Sequence, residues 1–176
     1  MTGWALILTG SVVALWAGAT LARAASLWNE YGHTPPAVVT RVDAPVVPGT
    51  PIAVLDIPRV GAAGVIFEGD RPSTLLVGIG HLADTPFPWE PGNSVLAAHR
   101  DTFFRPLKHI RPGDIVRVTT GEGALEYIVR ETSIVDPTAV EVLNETNHPT
   151  LTLITCYPFG YIGPAPKRFV VKAERM

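Results

Sequence analysis

The run Thr152-Leu153-Ile154-Thr155-Cys156 ends in the only cysteine of a 176-residue chain, and Arg168 follows twelve residues later. The thiolate is the reactive form of cysteine, and a neighbouring cation lowers the thiol pKa from a free value of ~8.5. His99 closes another apolar run, Ser94-Val95-Leu96-Ala97-Ala98-His99. Imidazole is the usual proton shuttle near neutral pH. A thiol, an imidazole and a guanidinium together suit nucleophilic catalysis, with the thiol as nucleophile, the imidazole as proton shuttle and the cation favouring the thiolate.

Each of these residues has a plainer reading. Free cysteines are among the most buried side chains, so Cys156 competes with a structural thiol. Pro158 and Gly160 follow it and place it at a strand end beside a loop. There are five histidines. His33 lies in a Pro-rich segment, His109 in a surface turn and His148 before Pro149, which leaves His81 as the rival of His99. Arg100, Arg130 and Lys167 are alternatives to Arg168. The small hydroxyl of Thr155 is a further candidate for orienting substrate. The apolar segments around Phe87, Trp89, Phe159 and Tyr161 are candidates for binding it. No Cys-x-x-Cys, His-Glu-x-x-His or Gly-rich phosphate loop occurs, so neither a metal nor a cofactor is expected.

Strands must position these groups. Short runs at 52–57, 65–67, 94–99, 115–119, 125–132, 150–156 and 168–173 predict strands. Helical turns are predicted at 71–76, 103–110 and 138–143. The last strand pair before residue 138 turns across Thr120-Gly121-Glu122-Gly123. The pattern is mainly β, either a closed barrel or a sandwich. Alternation puts Thr152, Ile154 and Cys156 on one face and Leu151, Leu153 and Thr155 on the other. Val95, Ala97 and His99 share a face, as do Arg168, Val170 and Lys172.

Gly3 to Ala22 carries no charge and is long enough to cross a bilayer as a helix of ~20 residues. An uncleaved anchor is expected over residues 1–28. A cleaved signal peptide is the alternative, since Ala22-Arg23-Ala24 offers a small-residue site. Prolines at 35, 36, 45 and 48 predict a semi-rigid stalk over 29–50. Residues 51–176 then form one domain. The net charge is −2 with no basic cluster, which argues against a nucleic-acid partner.

As a set, Thr-Leu-x-Thr-Cys at 152–156, the upstream His99 and the downstream Arg168 resemble the signature of sortases, the membrane-anchored cysteine transpeptidases of bacterial surfaces. The likeness extends to the N-terminal span, Ile52 to Pro58, Gly80-His81, and Ala98-His99-Arg100-Asp101. The segment from Cys156-Tyr157-Pro158-Phe159 to Lys167-Arg168 is most like class D or a Gram-negative single-sortase type. The resemblance implies an eight-stranded β-barrel with short helices after a transmembrane helix. It implies His99, Cys156 and Arg168 as catalytic residues, and His81 as lining or supporting the groove; Thr155, Trp89 and Tyr161 are the other substrate-binding candidates. The implied partners are a C-terminal sorting motif on a surface protein, an acceptor amine and the membrane. The implied location is the bacterial cytoplasmic (inner) membrane, single-pass, with the catalytic domain on the extracytoplasmic side. Arg23, just after the span, taken alone favours the opposite orientation. A hydrolase using the same three residues, or an inactive anchored binding module, is the alternative function.

Overall fold

A computed structural model describes residues 3–37 and 46–176. Part of the expected stalk, residues 38–45, lies outside the described residues. Helix α1 spans Gly3–Tyr31 and continues beyond the expected end of the anchor. Its Ser11–Tyr31 portion is long and apolar enough to cross a membrane. Leu15 and Leu21 are largely exposed on it, as a lipid-facing helix requires. Below them Arg23, Leu27 and Tyr31 line a recess with Pro51 and Phe67 of the barrel. The Pro-rich segment also touches the domain, because Gly121 N–H donates to the Pro36 carbonyl at 2.7 Å.

Eight strands close into a barrel: β1 (Pro51–Ile57), β2 (Ala62–Glu68), β3 (Ile79–His81), β4 (Asn93–Ala97), β5 (Ile115–Thr120), β6 (Gly123–Val135), β7 (Thr150–Tyr157) and β8 (Lys167–Arg175). The order around the barrel is β1-β2-β3-β4-β7-β8-β6-β5. A single four-residue helix, α2 (Pro72–Leu75), and 3-10 turns at Arg105–His109 and Val140–Leu143 complete the described domain. Closure removes the free sheet edges that an open sheet would expose.

Alternation sets which side chains fill the barrel. Leu96, Val116, Val118, Leu151, Leu153, Val171 and Ala173 are buried in its core. The β4–β7 pair is parallel and the β7–β8 pair antiparallel. Parallel neighbours need a long crossover. The segment from Asp136 to Pro149 supplies the last part of it and passes over the outer face of β4 and β7.

Strand β3 lies outside the expected strand set. It has only three residues and contains Gly80. A Cβ at Gly80 would sit 2.8 Å from the Gly69 carbonyl oxygen, so the absence of a side chain is what lets the connection from Gly69 to Leu75 pack over β3. Strand β6 is longer than expected. Its second half, Arg130 to Ile134, is exposed on both faces and so carries no apolar alternation. Pairing with β8 from Glu131↔Lys172 to Val135↔Arg168 holds it in the sheet.

Candidate functional site

Cys156 and Arg168 are directly opposed in the β7–β8 ladder. On the other side of β7, Ala97 is in register with Ile154. Ala98 N–H then donates to the Ile154 carbonyl at 3.3 Å. Two further residues along this parallel register bring His99 to the level of Cys156. The order across three adjacent strands is therefore His99, Cys156, Arg168. Residues separated by 57 and 12 positions in sequence become neighbours through strand pairing alone.

The three share the outer face of the barrel wall. Ala97, Ile154 and Val170 lie on that face, two residues before His99 and Cys156 and two after Arg168. Together with Arg168 they form the floor of a cavity of about 310 Å³. Its roof is the crossover, through Val135, Pro137, Ala139, Val140 and Leu143. Leu82 and Asp70 close the far end. The groove is thus mainly apolar, with a guanidinium at the strand-end side.

The Asn93 side chain pins the roof to the floor. Its amide nitrogen donates to the Val142 and Asn144 carbonyls, each at 3.0 Å. Its amide oxygen accepts from Thr152 Oγ1 at 2.6 Å. All these partners are needed, because Asn93 is almost fully buried and an unpaired buried amide is costly.

Arg168 is half-buried. Its Nη1 donates to the Ala165 and Lys167 carbonyls at 3.3 and 3.0 Å. Among the described residues, the other guanidinium nitrogens have no protein partner. Two carbonyls therefore fix the plane of the fork while donors remain for an oxygen arriving at Cys156. Cys156 itself is a free, partly exposed thiol.

The remaining candidates sit elsewhere. Thr155 points to the barrel side and is 2% exposed. Its hydroxyl donates to the Ala98 carbonyl at 2.7 Å, so it braces the approach to His99 and is not presented to the groove. His81 is fully buried. Its Nε2 lies 2.9 Å from the Pro86 carbonyl and its Nδ1 2.7 Å from Glu68 Oε2, and the ring stacks on Phe87. It supports the wall behind Leu82 and does not line the groove. Trp89 stacks on Phe87 and borders the β5–β6 turn, away from the groove lined by Arg168. The loop from residue 82 to 92 folds over the barrel end, where Tyr127 Oη donates to the Pro88 carbonyl. Burial pushes the Tyr127 phenol up to about 12. Tyr161 is half-exposed in the β7–β8 loop, with Arg100 5.8 Å from its ring centre. Of the apolar groove residues, Ala97 and Ile154 were readable from alternation with His99 and Cys156. The turn that forms the roof was predicted at 138–143, but its place over the groove and the role of Asn93 carried no sequence signal.

Comparison with known proteins agrees with this geometry. The sortase domain model matches residues 55–176. Sortase D of Bacillus subtilis (strain 168) is 36% identical over 129 residues, covering 73% of this chain and 65% of that protein. The chain thus spans somewhat under two thirds of the length of that relative. Among solved structures, a sortase D transpeptidase of Clostridium perfringens superposes with a TM-score of 0.67 at 32% identity, over 74% of this chain and 82% of that one. Sortase A of Listeria monocytogenes does so with a TM-score of 0.66 at 30% identity, over 72% and 88%. With its barrel, its strand order and a domain match across most of its length, the chain belongs to the sortase family.

Proposed function

We propose that this protein is a membrane-anchored transpeptidase that cleaves a C-terminal sorting motif and joins the new carboxyl end to an amine. The observation that carries this reading is the placement of Cys156 between His99 and Arg168 at the end of a roofed apolar groove. The apolar residues of the motif occupy the floor made by Ala97, Ile154 and Val170, which presents the scissile carbonyl to the Cys156 sulfur. The Cys156 thiolate adds to that carbonyl. The oxyanion forms against the Arg168 fork, which is already held in plane and has little reorganisation to undergo. His99 protonates the leaving amine, the C–N bond breaks and a thioester remains on Cys156. An incoming amine loses a proton to His99, attacks the thioester and expels the Cys156 thiolate.

Helix α1 is the single-pass anchor in this reading, with the catalytic domain on the extracytoplasmic side of the cytoplasmic membrane. The contacts of Arg23, Leu27 and Tyr31 with the barrel support a domain held close to the lipid surface. The test is intact-mass analysis of the full chain in detergent with a sorting-motif peptide. A thioester adduct is expected on the native chain and not on Cys156→Ala. An adduct that persists in Cys156→Ala refutes the assignment.

A further inference from the structure

Three charged side chains line the groove: Arg168 at the catalytic end, Asp136 in the crossover and Asp70 at the far end. Two of them are engaged. Arg168 opposes Cys156 in the β7–β8 ladder. Asp136 accepts from Lys167 Nζ at 2.7 Å, so its charge is balanced. Asp70 is exposed and, among the described residues, makes no ion pair, not even with Arg71 beside it. The groove therefore carries one unneutralised negative charge, at the end opposite to the reacting groups.

Strand pairing fixes the distance of that charge from the chemistry. Gly69, at a positive φ of 81°, turns the chain out of β2, and its N–H donates to the His81 carbonyl at 2.9 Å. The next residue, Asp70, packs its backbone onto β3: a Cβ on Gly80 would sit 2.9 Å from the Asp70 Cα. Leu82 N–H donates to the Val95 carbonyl at 2.9 Å, and Val95 lies four residues before His99. At about 3.3 Å per residue, this end of the groove stands about 13 Å from the level of His99 and Cys156. An extended peptide advances at about the same rate, so the residue that reaches Asp70 is roughly the fifth counted back from the scissile bond.

We propose that Asp70 selects donor proteins that carry a lysine or arginine at about the fifth position before the cleaved bond. The inference rests on the transpeptidase reading above, in which the part of the donor kept on Cys156 lies along this floor. The ammonium or guanidinium supplies the countercharge that Asp70 lacks, and a glutamate at the same position meets like charge. The contact is remote from the reacting carbonyl and is the same in the ground state and the transition state. It therefore acts on KM and not on kcat.

The probes are three donor peptides that share one sorting motif and differ only at the fifth residue before the scissile bond: Lys, Gln or Glu. With the full chain in detergent micelles, the first readout is the rate of thioester formation on Cys156. The Lys peptide should exceed the Glu peptide by about fivefold in kcat/KM at low salt, the scale of one exposed ion pair, with the difference in KM. Added salt should shrink that preference. Asp70→Asn should abolish it, and Asp70→Lys should invert it. The second readout needs no turnover. In ¹⁵N-labelled Cys156→Ala, the Lys peptide should shift the amide signals of Asp70, Arg71 and Leu82 at lower concentration than the Glu peptide. Equal rates for Lys and Glu, or a preference that survives Asp70→Asn, overturn the proposal. If no peptide acylates Cys156, the transpeptidase reading falls, and the titration still decides whether this end of the groove selects a cation. Shifts that are absent or equal for the two peptides decide against it.

Discussion

Thr155→Val tests whether the barrel side of β7 positions the catalytic side. Valine keeps the shape of threonine and removes the hydroxyl that donates to the Ala98 carbonyl at 2.7 Å. The site is 2% exposed, so water does not replace the lost donor. A buried carbonyl left unpaired costs about 1–3 kcal/mol. At roughly 4 °C per kcal/mol for a domain of this size, Tm should fall by about 4–12 °C. The same bond ties the segment carrying His99 to the strand carrying Cys156. A shift of about 1 Å between reacting groups costs on the order of a hundredfold. We therefore expect kcat to fall by about ten- to a hundredfold, with KM nearly unchanged, since the Ala97–Ile154 floor is on the opposite face. The assays are thermal unfolding and steady-state transpeptidation below the lowered Tm. Thr155→Ser, which keeps the donor, should recover most of both losses. A variant that loses stability but keeps full kcat would refute the positioning role. One that keeps both would show that the hydrogen bond contributes nothing.

Three further outcomes follow from the same geometry. Arg168→Ala should lower kcat by ~10²–10³, and Arg168→Lys should restore little, because a point charge does not reproduce the fork; a rise in KM alone would make Arg168 a binding residue. Asn93→Ala releases the roof from the Val142 and Asn144 carbonyls, so KM for the donor peptide should rise severalfold, by about the effect of one or two net hydrogen bonds, and an unchanged KM would show that the roof does not hold substrate. Asp114 is held below the ordinary carboxylate value of 3.8 by the Arg59 guanidinium and the Arg111 N–H, against the upward push of burial. Its depressed folded-state pKa means that the stabilisation is complete above about pH 4 and is lost as pH falls through the folded value, so Asp114→Asn should lower Tm at pH 7 and flatten its decline between about pH 5 and pH 2.

The sequence by itself determined the candidate reactive groups and most of the strands. Cys156 is unique, His99 and Cys156 each close an apolar run, and Arg168 opens the next one. Those signals are local, and period-2 alternation also separated the Leu151, Leu153 and Thr155 face from that of Cys156. The opposed placement of Thr155 was thus implicit, although its hydroxyl made it look like a substrate contact. The tertiary structure decided whatever depends on partners distant in the chain. Strand β3 exists because β2 and β4 pair with it on either side, not because three residues favour extended backbone. The exposed half of β6 is a strand because β8 pairs with it. His81 and Trp89 look like site residues in sequence, yet the 82–92 loop folds over the barrel end and takes them into packing. The place of the roof over the groove and the tie from Arg100 to the Tyr161 carbonyl depend on contacts that no periodicity reports. Those contacts are made by Asn93 and Arg100, each spanning segments about 50–60 residues apart, and a contact of that range leaves no pattern in a single sequence.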